Sequence, residues 1–171
     1  MKLLNRTPIP DDILETLLVK AGRAVGAKTT NTVVQVNRCI HGTSGIAYNC
    51  TWVRWGASKR RLKCDGAFRI TLPLPAGPKA RTWYHLLDPL DAAVRFFEVA
   101  RHEWGHIRDY QNPNRTWSIP TRRRLPHDRR PVEIRADNYV FDADEHKHGA
   151  EWAIEEIVAL AVELEKRYVT H

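Results

Sequence analysis

The sequence predicts an α+β fold: an N-terminal helix, a small antiparallel sheet of three to four strands, then helices to the end of the chain. Three observations predict it. Apolar residues recur at helical spacing from Ile13 to Val25, and β-branched and aromatic residues gather in short runs between Thr32 and Leu72. From Asp88 onward the helical spacing returns, interrupted by an arginine-rich stretch. With 171 residues, 43% hydrophobic and 27% charged, the chain suits one globular domain over residues 1–171.

Pro8-Ile9-Pro10-Asp11-Asp12 reads as a helix start, with acids in the first turn to suit the helix dipole. Ile13, Leu14, Leu17, Leu18, Ala21 and Val25 then share a face, and Gly22 and Gly26 weaken the far end, so the helix stops before Lys28. Residues 28–73 are mainly β. Thr32 to Cys39 carries Val33, Val34 and Val36, and His41 to Gly45 forms a turn. Ile46 to Trp55 is a second strand, broken by Gly56 to Arg61; a third alternates Phe68, Ile70 and Leu72 with Arg69 and Thr71. An antiparallel meander fits these runs, and the segment Pro73 to Pro78 ends it.

Asp88 is a helix N-cap with Pro89 at the first helical position and Asp91 in the first turn. The apolar run from Ala92 to Ile107 carries this helix over 88–111, and Asn112-Pro113 stops it. A basic loop follows over 112–131, then the C-terminal helices over 131–169. Pro131 opens the first of these, to about His146. After a break at His148-Gly149 the last runs from Ala150 to Tyr168, with Trp152, Ile157, Leu160, Ala161 and Leu164 on its packing face and Glu155, Glu156, Glu163 and Glu165 on its solvated one.

Several function classes drop out. No segment approaches the roughly 18 uninterrupted apolar residues of a membrane span. Met1 to Arg6 has only two consecutive apolar residues, unlike a signal peptide, which predicts a cytoplasmic protein. Cys39, Cys50 and Cys64 are odd in number and too far apart for a CxxC pair or a disulfide framework, so they read as small buried hydrophobes. Net charge is +7, and the loop between Asn112 and Pro131 supplies +5 of it: Arg115, Arg122, Arg123, Arg124, Arg129 and Arg130 against Asp128. Such a loop could meet nucleic-acid phosphates or an acidic protein surface, or simply be solvated.

The chemistry gathers at Arg101-His102-Glu103-Trp104-Gly105-His106-Ile107, an HExxH pattern in the second half of a helix. His102 and His106 fall one turn apart on one face, with about 6 Å between their Cβ atoms. Two imidazoles so placed can share one zinc ion, with Glu103 beside them to take a proton from a water activated there. A third ligand is still needed, and His127, Glu133, Asp137, His146 and His148 lie downstream. Glu133 and Asp137 share a face of the helix that begins at Pro131, and Ala136 is small enough to let that helix pack closely against the first. Glu133 would complete a His2Glu site, and Asp137, one turn on, would hydrogen-bond the free ring nitrogen of a ligand histidine. His146 and His148 lie about 20 Å from Glu133 along a helix. The bland readings are half-buried histidines in a core, surface acids paired with Arg129, Arg130 or Arg135, and a structural zinc site, which usually takes four protein ligands and favours cysteine.

HEWGH followed by a helix bearing ExxAD resembles the gluzincin clan of zinc metallopeptidases. The metzincin pattern does not fit, because Asp109 and Asn112 stand where it needs glycine and histidine. Length and element order are similar to the minigluzincins and to ImmA/IrrE-type phage and mobile-element proteases, whose glutamate helix reads ExEAN where this chain reads EIRAD. The resemblance implies a zincin-like domain with one Zn²⁺ per chain, ligands His102, His106 and Glu133, general base Glu103 and orienting residue Asp137. It further implies a peptide or protein substrate extended along an edge strand, for which Phe68, Arg69, Ile70, Thr71 and Leu72 are the expectation. Tyr110, His127 and Tyr139 are candidates to stabilise the oxyanion. Two alternatives stand beside it: a zinc-stabilised module binding nucleic acid or a regulatory protein through the basic loop, and a self-inhibited zymogen in which that loop or the tail at His171 covers the zinc.

Overall fold

The computed structural model describes residues 1–39, 44–48, 52–55, 60–73, 88–112, 126–143 and 151–168. Basic residues 115 and 122–124, together with His41, Cys50, His146, His148 and His171, lie outside this set, as do the side chains of Cys39, His127 and Trp152. Among the described residues the architecture is α+β, four α-helices with a small mixed sheet.

Strand β1 (Lys2–Arg6) leads into helix α1 (Asp11–Ala24), which returns the chain to β2 (Thr32–Cys39). Helix α1 ends where Gly26 takes φ +73, a left-handed conformation natural to glycine. There the N–H of Ala27 donates to Gly22 O at 2.9 Å and that of Gly26 to Arg23 O at 3.0 Å, the Schellman arrangement. A helical crossover between adjacent strands makes them parallel, and β1 pairs with β2 in that sense, Leu3 opposite Val34.

Beyond β2 come β3 (Gly45–Tyr48), β4 (Trp52–Trp55), β5 (Arg60–Lys63) and β6 (Gly66–Pro73). The expected strand from Ile46 to Trp55 is two strands, and β4 leaves the sheet to form a separate antiparallel ribbon with β5. Strand β6 pairs parallel to β2, with Phe68 opposite Val34, and β3 pairs antiparallel on the other side of β6, with Ala47 opposite Phe68. The order is β1-β2-β6-β3. This corrects the antiparallel meander: one ladder of three is antiparallel, because α1 carries the chain back across the sheet and the β3–β5 excursion brings it round to re-enter beside β2.

Helix α2 (Pro89–Gln111) is the central element, packed on β6, β3, α1, α3 (Pro131–Ala143) and α4 (Glu151–Tyr168). Asp88 caps it, its Oδ1 accepting from the N–H of Leu90 at 2.9 Å, with Pro89 next. Its apolar face, Ala92, Ala93, Phe96, Phe97, Ala100, Trp104 and Ile107, is buried. Trp104 meets Phe68 of β6 edge to face, ring centroids 5.1 Å apart. On α4, Leu160, Ala161 and Leu164 are buried as its spacing predicts, while Glu156 leaves the solvated face to pair with Lys20 of α1. Cys64 is buried and forms no disulfide among the described residues. Among the described residues no helix is long and apolar enough to cross a membrane.

Candidate metal centre

The second half of α2 turns one face toward α3. Two contacts bring the helices together and set their register. At Gly105 an added Cβ would lie 2.9 Å from both Cα and O of Ala136, so the backbones meet where neither helix carries a bulky side chain. One turn along, the Arg135 guanidinium grips the buried Asp109 carboxylate through two bonds, Nε to Oδ1 at 2.9 Å and Nη2 to Oδ2 at 3.0 Å. This fork-to-fork pair fixes rotation as well as distance. The hydrogen bond from Arg135 to Asp109 is also what chiefly raises the guanidinium pKa.

So held, α3 points Glu133 at the two histidines. His102 Nε2 and His106 Nε2 lie 3.1 Å apart; Glu133 Oε2 is 3.2 Å from the first and 3.0 Å from the second. On the far side of the His102 ring, Nδ1 is 2.8 Å from Asp137 Oδ1. A carboxylate can only accept, so Nδ1 carries the proton at that edge, and in the tautomer of His102 that can bind a metal the lone pair is at Nε2. That lone pair faces a carboxylate oxygen. Burial holds the pKa of His106 below its ordinary value, which favours the neutral ring a metal ligand needs. His106 Nδ1 is buried with no hydrogen-bond partner among the described residues.

Convergent acceptors of this kind are stabilised by a cation. Tetrahedral coordination at 2.0–2.1 Å needs ligand atoms about 3.3 Å apart, and the edges here are 3.0, 3.1 and 3.2 Å. The group His102, His106 and Glu133 could therefore hold a metal ion. Two imidazole nitrogens and one carboxylate oxygen suit a borderline divalent ion and leave a coordination position open.

Glu103 stands beside the triangle. It is 5% exposed, and its Oε2 is buried with no hydrogen-bond partner among the described residues. Burial first, then the charge of Glu133, push its carboxyl up to about 8. Strand β3 lies directly over it: a Cβ added at Gly45 would fall 2.5 Å from Glu103 Cγ and 2.7 Å from Cδ, so a bare backbone is what lets the strand come this close. These residues open on a cavity of about 490 Å³, lined by Gly45, Ile46 and Ala47 of β3, by Val99, His102, Glu103, His106 and Tyr110 of α2, and by Arg130 and Glu133.

The other expected site residues divide. Tyr110 lines the cavity, its ring stacked on that of His106 with centroids 6.4 Å apart. Tyr139 does not line it; its ring lies under the Arg108 guanidinium, 4.1 Å from the centroid, while Arg108 Nη1 donates to Val25 O. The edge-strand expectation for Phe68 to Leu72 is overturned, since β6 is bonded on one side by β2 and on the other by β3. Phe68, Ile70 and Leu72 are buried in the core, and Thr71 bonds Ser44. Among the described strands the edge beside the cavity is β3. The Asp109–Arg135 pair and Arg130 are the residues the sequence reading missed.

No family model matches the chain, and no curated protein or solved structure matches it either.

Proposed function

We propose that this chain is a zinc-dependent peptidase of zincin-like fold, in keeping with its resemblance to the gluzincins. The observation that carries the reading is the convergence of His102 Nε2, His106 Nε2 and Glu133 Oε2 within 3.2 Å of one another, beside a buried glutamate and an open cavity. A zinc ion bound by these three would polarise a substrate carbonyl and lower the pKa of water.

The chain's own residues do the rest. Asp137 fixes the His102 tautomer, so that Nε2 keeps its lone pair, and the shared hydrogen bond makes that nitrogen a stronger base. Glu103 takes the proton of the attacking water and passes it to the leaving amine, a role its ionised carboxylate fills once a bound cation offsets the burial that otherwise keeps it protonated. Its burial keeps bulk water from competing for that proton. Tyr110 is the one expected oxyanion partner that reaches the cavity among the described side chains. Strand β3 takes the substrate-binding role first expected of β6: its outer edge is unpaired among the described strands, and Gly45-Ile46-Ala47-Tyr48 contains neither charge nor proline to block an added strand.

The experiment is metal analysis with peptide cleavage. Purified protein carries about one equivalent of zinc and cleaves peptides; Glu103→Gln keeps the metal and loses cleavage. Equal activity in that variant removes the mechanism.

A further inference from the structure

The strands are the basic part of this fold. The six described strands together carry eight lysines and arginines and no acid, more than the net charge of +7 of the whole chain. Between Glu15 and Asp88 the one acid is Asp65, just before β6. Cross-strand partners share a face of a sheet, and neighbours along a strand alternate. Phe68, which meets Trp104, faces the helices together with its partners Val34 and Ala47. The rows on either side therefore face away from them, and those rows hold Lys2 and Tyr48, then Arg69, then Arg6. All three cations are exposed, and Tyr48 is 39% exposed. Four residues along β1, or two strand spacings across the sheet, set the cations about 12–13 Å apart. The β4–β5 ribbon is rooted on the same face: Arg60-Arg61-Leu62-Lys63 leads directly into Cys64, which packs with Val33 and Ala67.

We infer that this outer face of the sheet binds single-stranded nucleic acid. Lys2, Arg6 and Arg69 answer backbone phosphates, and the exposed ring of Tyr48 at the β3 edge stacks on a base. A duplex keeps its bases stacked on one another and offers nothing to that ring, and an acidic protein surface offers charge without a flat base. The face lies across the sheet from the metal centre and apart in sequence from the basic loop over 112–131, so the inference stands whatever reaction the metal centre carries out.

Binding is measured on the purified full chain by fluorescence anisotropy of a labelled oligothymidine of about 16 nucleotides, over a series of salt concentrations. Affinity falls as salt rises. The combined change Lys2→Gln, Arg6→Gln and Arg69→Gln makes the log–log slope shallower by about 2, since each phosphate contact on a single strand contributes about 0.7. If the triple change unsettles the sheet, Arg69→Gln alone lowers the slope by about 0.7. Tyr48→Ala weakens binding about tenfold, and Tyr48→Phe, which keeps the ring, leaves it close to wild type. Circular dichroism and metal content establish that each variant is folded. A duplex of the same length binds more weakly than the single strand, and polyglutamate of equal charge displaces the strand poorly. Absence of binding overturns the inference, as does a slope unchanged in the triple variant, equal affinity for duplex, or equal displacement by polyglutamate. So does binding that is lost on Arg122→Gln, Arg123→Gln and Arg124→Gln together but survives the triple change on the sheet, because the basic loop is then the contact.

Discussion

Gly105 puts the packing of the site to a sharp test, because two effects of Gly105→Ala have opposite signs. In the middle of a helix, alanine is favoured over glycine by about 1 kcal/mol, and that alone would stabilise the protein. The new Cβ, however, would stand 2.9 Å from Cα and O of Ala136 and 3.1 Å from its Cβ. Non-bonded carbon contacts relax at about 3.5–4.0 Å, so α3 must retreat by roughly 0.6–1 Å. Its neighbours at that point include backbone, which cannot swing aside. Overpacking of this kind costs about 1–3 kcal/mol and outweighs the propensity gain. The same retreat draws Glu133 from the histidines, in a site whose ligand distances tolerate only about 0.2 Å. We expect Gly105→Ala to lower stability in chemical denaturation and to weaken zinc binding by about tenfold or more in competition with a chelator. A variant that is more stable than wild type and binds zinc as tightly would refute the close approach of α2 and α3.

Three further predictions follow from the same geometry. Arg135→Ala strips the buried Asp109 of its guanidinium and should cost about 3 kcal/mol, while Asp109→Ala should cost less, because Arg135, 39% exposed, can turn to water; equal costs in denaturation would contradict the buried clamp. Asp137→Ala releases the His102 ring and should weaken zinc binding about 10–100-fold, with unchanged affinity counting against its orienting role. In chelator-treated protein, Glu103 ionises near 8 when folded and at its ordinary 4.5 when unfolded. The folded state thus holds the extra proton between those values, and stability falls as pH rises through that window, by up to about 1.4 kcal/mol per unit. Denaturation series from pH 6.5 to 8, above the range in which His106 acts, should show this decline in wild type and lose it in Glu103→Gln. His106, held below its ordinary value, acts oppositely, withdrawing stability as pH falls below about 6.5.

The helices were legible because their signals are local. Asp88-Pro89 caps α2 as read, and Pro131 opens α3. The spacing of His102, His106, Glu133 and Asp137 likewise follows from helical periodicity once both helices are placed. The sheet was not legible in the same way. The alternation of Phe68, Ile70 and Leu72 shows a strand with one buried face, but strand order and direction depend on what lies beside it, which is a long-range matter. Strand β1, five residues with two consecutive apolar ones, carries no pattern of its own and exists by pairing with β2. Strand β3 has four residues, too few for alternation to declare which edge they occupy. The Asp109–Arg135 pair was hidden for a related reason: two residues 26 apart look like separate surface charges until the helices carrying them are docked.

The central claim is that this glutamate-flanked His2Glu triangle is a hydrolytic zinc site. Cleavage of a peptide library by zinc-loaded wild type and zinc-loaded Glu103→Gln tests it most directly. The account predicts one zinc per chain in both proteins and cleavage by the wild type alone; cleavage by both at the same rate, or by neither, would contradict it.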